Sequence, residues 1–236
     1  MGTMKQFAGR HDLSTRTLCT NILERHRDTI RVQKPHVAVG NLIRIVDATL
    51  ALSNKQGFHA TTLRDLARAS ELSMGALYSY FDSKETLLLM VLGEVSTAVN
   101  DVLGQPPDEV VDDPCTYLGW LIENHIFLTE AMLPWFVFAY LEAKSFPKVA
   151  REVATNSELQ TEKMFADVLA RGAKGGRFVV DDPLLTASLI KPLLQDWYVK
   201  RSKYRRRDVT PEAFVHMVSD FVGTAIQMRE PLRAAS

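Results

Sequence analysis

Cysteine is nearly absent: the 236 residues hold two, Cys19 and Cys115, far apart and without metal-ligand spacing. That argues against a disulfide framework and fits a reducing compartment. Long apolar runs are missing too. The longest, residues 131–141, is closed by Glu130 and Glu142 and broken by Pro134. It is well short of the roughly 20 residues that cross a bilayer. No apolar signal-peptide region opens the sequence, so a cytoplasmic protein is expected. Catalytic signatures are lacking: there is no G-x-S-x-G, no H-E-x-x-H, no Walker loop and no glycine-rich dinucleotide turn. The six histidines are scattered without ligand spacing, so neither an enzyme nor a resident metal or cofactor is expected. Period-two alternation and solenoid repeats are absent as well, which leaves an all-α fold.

What is present is balanced charge and helical periodicity. Basic and acidic side chains number 28 each, but residues 1–34 carry seven basic against three acidic, and residues 91–236 carry 16 against 20. The basic excess at the beginning suits a polyanionic partner, and a solvated tail is the plainer alternative. Residues 1–37 therefore read as a basic N-terminal arm with a weak helical pattern at Leu18, Ile22, Leu23 and Ile30. From Val39 onward, Leu42, Ile43, Val46, Leu50 and Ala51 recur at helical spacing, and this helix ends near Gly57. Short helices at 63–69 and 74–81 precede a long one over 83–103. Residues 105–114, with three prolines and four acids, read as a linker. Further helices are expected at 115–129, 131–144, 147–171, 183–201 and 211–229, about nine in all. The domains are then a head at 38–98 and a helical body at 105–232.

Residues 61–81 carry the chemistry. Thr62 with Asp65 three positions on approximates a capping box. Leu63, Leu66 and Ala67 face inward, and the small Ala67 allows a second helix to cross closely. Ser73 caps that helix, and Leu77 and Phe81, four apart, point into the core. Met74, Ala76 and Ser79 are left facing outward, with Tyr78 and Tyr80 at the flanks. Two short helices joined by a tight turn form a helix-turn-helix, whose second helix fits a DNA major groove about 12 Å wide.

Thr62, Leu66-Ala67, Ser73, Gly75, Leu77-Tyr78, Tyr80-Phe81 and Ser83-Lys84-Glu85 resemble the signature of the TetR family of bacterial regulators, over about residues 39–100. One departure stands out: Glu71 occupies the turn position where the family usually has glycine. If left-handed there, it costs on the order of 1 kcal/mol. The resemblance implies a three-helix DNA-binding head, a helical ligand-binding and dimerisation body, and repression as the usual mode. It implies phosphate contacts from Thr62, Tyr78 and Lys84, next to a helix start that welcomes anions. Arg64 and Arg68 are expected to add backbone contacts, and Met74, Ala76 and Ser79 to meet base edges, with Ser73, Gly75 and Tyr80 completing the surface.

Dimerisation through the last two helices is also implied. Leu189, Leu193, Trp197, Phe214, Val218, Phe221 and Val222 form apolar stripes that suit both that interface and the internal core. Aromatics concentrate at Trp120, Trp135 and Phe138, so a pocket for a small effector is expected there, with His125, Gln195 and Tyr198 as polar groups; core packing is the plainer reading of each. Residues 195–207 (QDWYVKRSKYRRR) resemble the same region in family members that control fatty-acid or sterol catabolism. That implies an acyl-CoA-like effector, against a solvated basic loop. The competing classes are a helical dimeric interaction protein and a constitutive DNA-binding activator without a ligand.

Overall fold

The computed structural model describes residues 2–228; the expected helix end near Arg229 and the body boundary at 232 lie outside them. The described residues form thirteen α-helices and one 3-10 turn, with no strand. In chain order they are α1 (Met4–Arg10), α2 (Thr15–Arg25), α3 (Pro35–Gln56), α4 (Leu63–Ser70), α5 (Met74–Leu77), α6 (Lys84–Leu103) and α7 (Asp108–Val111). Then follow α8 (Pro114–Ala131), α9 (Leu133–Leu141), the turn Ala143–Ser145, α10 (Lys148–Lys174), α11 (Pro183–Val199), α12 (Arg201–Arg205) and α13 (Pro211–Ala225). The all-α expectation holds. The extra helices are short ones in segments that had read as arm, linker and basic loop.

The chain divides into two compact units, and the division differs from the expected boundaries. The head unit collects Asp12–Ala98 and Met132–Asn156. Its centre is α3, packed against α2 and α4. Leu18, Ile22, Leu23 and Ile30 are buried, so residues 12–34 are a folded part of the head and not a free arm. Their apolar positions sit on one helical stripe, which α3 covers. Asn21 and Arg25 on α2 reach the buried Glu94 of α6 by a hydrogen bond and an ion pair. The aromatic run 133–141 also belongs here: α9 packs on α3, and Phe138 and Phe146 surround Phe58 with ring centroids 5.6 and 6.0 Å away. Glu142 at the end of α9 accepts the Phe58 N–H at 2.7 Å. Helices α3 and α6 are long and apolar enough to cross a membrane by composition, but half or more of each is buried within the fold.

The body unit collects the N-terminus to His11, Val99–Ala131, and the described residues from Ser157 on. Thr3 opens α1 with a capping box, and Phe7 is fully buried against Phe127 of α8. The Gly2 N–H donates to Glu123 at 2.7 Å and the Met4 N–H to Glu212 at 2.9 Å. The N-terminal residues are thus anchored to the body, which leaves the expected basic arm without support at either end. Helix α8 is buried from Leu121 through Thr129 and carries α11 and α13. Asp182 caps α11 by accepting the Leu185 N–H at 2.9 Å, with Pro183 at the first helical position.

Candidate functional site

In the head, local chemistry builds the helix-turn-helix. Thr62 Oγ1 accepts the Asp65 N–H at 3.1 Å, and the Asp65 carboxylate accepts both the Thr62 N–H and its hydroxyl proton. The capping box is complete, and these hydrogen bonds hold the Asp65 carboxyl below its usual range. Helix α4 ends at Glu71, whose φ of 53° and ψ of 39° are left-handed. The Leu72 N–H closes the turn on the Ala67 carbonyl at 2.9 Å. Arg44 of α3 donates to both the Glu71 carbonyl and carboxylate, at 3.1 and 2.8 Å. The strain of a side chain there is therefore offset by an ion pair that glycine cannot make. Ser73 caps α5 through the Ala76 N–H at 3.1 Å. The α-helix covers only Met74–Leu77 and continues as tighter turns to Tyr80, shorter than the expected rod over 74–81. The Ser79 carbonyl at its far end accepts the Arg31 N–H at 2.8 Å, a tie from the segment before α3 that sequence reading missed.

The predicted head residues separate into a surface and a scaffold. Arg64, Arg68, Gly75 and Tyr78 are exposed, Tyr78 to 49%, and Met74, Ala76 and Ser79 are half-buried beside them. Arg68 pairs with Asp65 at 2.7 Å. The other four are corrected toward structural roles. Tyr80 is 1% exposed and belongs to the core, where burial pushes its hydroxyl pKa up. The Thr62 hydroxyl both donates to and accepts from Asp65, and the Ser73 oxygen serves as the α5 cap by accepting the Ala76 N–H. Lys84 Nζ donates to three carbonyls, Phe58 at 2.9 Å and His59 and Thr61 at 3.0 Å each, and lies 4.7 Å over the Phe58 ring. An ammonium has three protons, and all are spent on the loop that leads into α4. Lys84 is a clamp.

The predicted apolar stripes divide in the same way. Trp197, Phe214, Val218 and Val222 are buried inside the body itself. Trp197 donates to Glu130 at 3.1 Å, lies beneath Arg201 and stacks against Phe214. Leu189 and Phe221 stay 66% and 62% exposed, joined by Leu184, Leu185 and Met217, with Leu193 half-buried. So α11 and α13, which pack on each other, carry exposed large apolar side chains that the unit itself does not cover.

The predicted effector residues do not share one unit. Trp135 and Phe138 are buried in the head, whereas Trp120, His125, Gln195 and Tyr198 lie in the body. The expected helices 115–129 and 131–144 both read as body, whereas the unit boundary falls between them, at Met132. In the body, His125 of α8 and Lys191 of α11 are both buried, and Lys191 Nζ lies 3.1 Å from His125 Nε2. Gln195 donates to Glu158 of α10 at 2.5 Å. Lys191 was missed, although a lone lysine inside Leu189-Ile190-Lys191-Pro192-Leu193-Leu194 was a visible anomaly. The basic stretch 200–207 is partly consumed: Arg201 forks onto Glu130 at 2.8 and 2.9 Å, and Lys203 pairs with Asp196.

Two family models match the chain, and their bounds do not coincide with those of the two units. A family model for bacterial regulatory proteins of the tetR family matches residues 45–91, and one for the C-terminal domain of AefR-like transcriptional repressors matches residues 124–228. The chain is 33% identical over 135 residues to the HTH-type transcriptional repressor KstR of Mycobacterium tuberculosis, covering 55% of this chain and 58% of that one. It is 31% identical over 147 residues to the repressor KstR2 of Rhodococcus jostii, covering 60% of this chain and 70% of that one. Against the KstR repressors the match spans 47% to 63% of their length. Among solved structures it is similar to a tetR-family regulatory protein from Rhodococcus RHA1, with a TM-score of 0.68, 20% identity and coverage of 79% and 97%. It is also similar to FadR from Bacillus subtilis in complex with stearoyl-CoA, with a TM-score of 0.59, 15% identity and coverage of 76% and 96%. At these identities the structural likeness speaks for the fold.

Proposed function

The chain belongs to the TetR family of bacterial regulatory proteins, and from that premise we propose that it is a DNA-binding transcriptional repressor that leaves its operator when a small apolar effector occupies the body. The observation that carries this reading is the match to named repressors together with an exposed face on the helix-turn-helix. Tyr78, Arg64 and Arg68 supply phosphate contacts, and Met74, Ala76 and Ser79 meet base edges from the start of a short helix. No Arg, Asn or Gln stands on that face of α5, so sequence preference is shared with DNA shape.

The working form is a homodimer in the cytoplasm. Two copies joined through Leu185, Leu189, Met217 and Phe221 bury the exposed apolar face of α11 and α13. They present recognition helices to half-sites about one helical turn, roughly 34 Å, apart. The effector acts by population shift: it binds better to a body conformation in which the two heads no longer match that spacing, and a few kcal/mol of differential affinity is enough. The stearoyl-CoA of the FadR neighbour makes an acyl compound the first class to try. No step of this function requires catalysis.

Fluorescence anisotropy with duplexes from the region upstream of the protein's own gene tests the proposal. Affinity is expected to fall steeply as salt rises, and Tyr78→Ala is expected to lower it about tenfold on every sequence alike. A protein that ignores all these duplexes at low ionic strength ends the proposal.

A further inference from the structure

Three basic side chains follow α2 in quick succession, Arg27, Arg31 and Lys34, against a single acid, Asp28, within residues 26–36. All three are exposed, and none has an ion pair or a side-chain hydrogen bond among the described residues. The loop that carries them is held in place. Its opening turn closes on the His26 carbonyl, which accepts the Thr29 and Ile30 N–H groups at 3.0 and 2.9 Å. Ile30 is buried, and the Arg31 N–H donates to the Ser79 carbonyl at 2.8 Å. Lys34 then leads into α3, with Pro35 at the first helical position, no capping side chain and no acid in the first turn. Arg31 therefore stands at the C-terminal end of the recognition helix. Helix α4, with Arg64 and Arg68, joins that helix at its other end through the Glu71 turn.

The helix-turn-helix itself is short of cations for a polyanion. Residues 74–80, which span α5 and the turns after it, hold no Lys or Arg. Lys84 spends its protons on three carbonyls, Arg68 pairs with Asp65, and Arg44 pairs with Glu71. Of the basic residues in 61–84, Arg64 alone is not engaged among the described residues. A duplex carries one phosphate charge per roughly 1.7 Å of its axis, and affinity grows with the number of phosphates neutralised. With α5 in a major groove about 12 Å wide, the flanking strands lie roughly 6 Å to either side, a distance that a long basic side chain spans. The buried Ile30 and the Arg31 N–H already fix the loop, so meeting a phosphate costs little further backbone ordering. Unpaired cations held beside the reading helix are the complement of a phosphate strand.

We propose that the loop joining α2 to α3 is a second DNA-binding element, in which Arg31 and Lys34 hold a phosphate strand beside the major groove that α5 enters. The inference rests on the DNA-binding reading above and adds to it an element outside the family match, which begins at residue 45. Arg27, beside Asp28 and four positions before the Ser79 tie, is not required. The basic charge near the start of the chain is thus delivered by a fixed loop and not by a free arm. Both side chains address phosphate and not base edges, so they add affinity on every sequence alike.

The test is fluorescence anisotropy on the full chain across a salt series, with tiled duplexes from upstream of the protein's own gene and one unrelated duplex. Arg31→Ala with Lys34→Ala is expected to weaken binding at least about tenfold on every duplex. The slope of log affinity against log salt is expected to fall by about three to four for a dimer. Arg31→Lys with Lys34→Arg keeps both charges and is expected to keep the slope. Lys148→Ala with Lys174→Ala removes the same charge from the ends of α10 and is expected to leave the slope as it was. The tie from Arg31 to Ser79 is made by backbone and survives each substitution. Far-UV circular dichroism checks folding, and Arg31→Gln with Lys34→Gln supplies a second charge-free pair. Unchanged affinity and slope in the charge-free pairs, a loss confined to one duplex, or an equal loss in the α10 pair overturns the inference. An unmodified protein that binds none of the duplexes strikes the repressor reading and this inference with it. Failure of the loop alone shows as normal binding by the charge-free pairs.

Discussion

Glu94 in the head and Lys191 in the body are both buried charged side chains, and they are partnered differently. In the head, Glu94 is 1% exposed and meets the guanidinium of Arg25 and the amide of Asn21, both on α2. In the body, Lys191 is equally secluded and meets only a neutral imidazole directly. The Glu94 contacts tie α2 to α6. The buried Lys191 ammonium carries a desolvation cost that the nearby Glu158 and Glu162 offset only in part. Both units keep buried side-chain polar atoms without a hydrogen-bond partner among the described residues, Ser53 Oγ in the head and His125 Nδ1 and Ser219 Oγ in the body.

Removing each charge sharpens the contrast. The largest effect is expected from Lys191→Met. The folded-state pKa of this lysine, about 8, lies below the ordinary 10.5. Its charge therefore destabilises the fold fully below about pH 8, progressively less as pH rises, and not at all above about 10.5. At pH 7 the substitution is expected to stabilise the protein by on the order of 3 kcal/mol, read as a higher Tm, and the gain should vanish near pH 11. A variant that melts earlier at pH 7 would show that the lysine is structurally satisfied after all.

Next comes Lys84→Met, which strips three carbonyls of their donor. A loss of about 2 kcal/mol in urea unfolding is expected. The salt dependence of operator binding should keep its slope, because a clamp makes no phosphate contact; a slope lowered by about one would restore the phosphate role that the family resemblance implies. The smallest of the three is Glu94→Leu, with the opposite sign to Lys191→Met. Because the Arg25 side chain is 36% exposed and turns to water once abandoned, a loss of only about 1 kcal/mol is expected. Stabilisation instead would erase the distinction between the two buried charges.

Much of the head could be read from residue order. Caps are local: Thr62 with Asp65 and Ser73 act within three residues and take the roles their spacing implied. The left-handed Glu71 was visible as a missing glycine, although the Arg44 contact that supports it was not. Apolar spacing placed Leu66, Leu77 and Phe81 in the core, but it could not decide how Tyr80 or Lys84 would be used. A tyrosine beside a recognition helix reads the same whether it meets phosphate or core.

Boundaries between units were the least legible. Residues 1–11 and 12–34 looked like one arm and went to different units, since each small helix follows whichever apolar surface can cover its stripe. Helix α9 looked like body and packs on α3, because Phe138, Phe146 and Phe58 find each other across some 80 residues.

Periodicity, capping chemistry and the helix-turn-helix signature were enough on their own to give an all-helical fold with a helix-turn-helix of the TetR type. Those properties depend on residues within a turn or two of one another, where helix geometry alone dictates who meets whom. Which apolar side chains of α11 and α13 are spent internally, and that Lys191 and His125 come to share hydrogen-bonding distance, was decided by packing. Such pairings depend on how several helices share one core, and no short-range pattern carries that information.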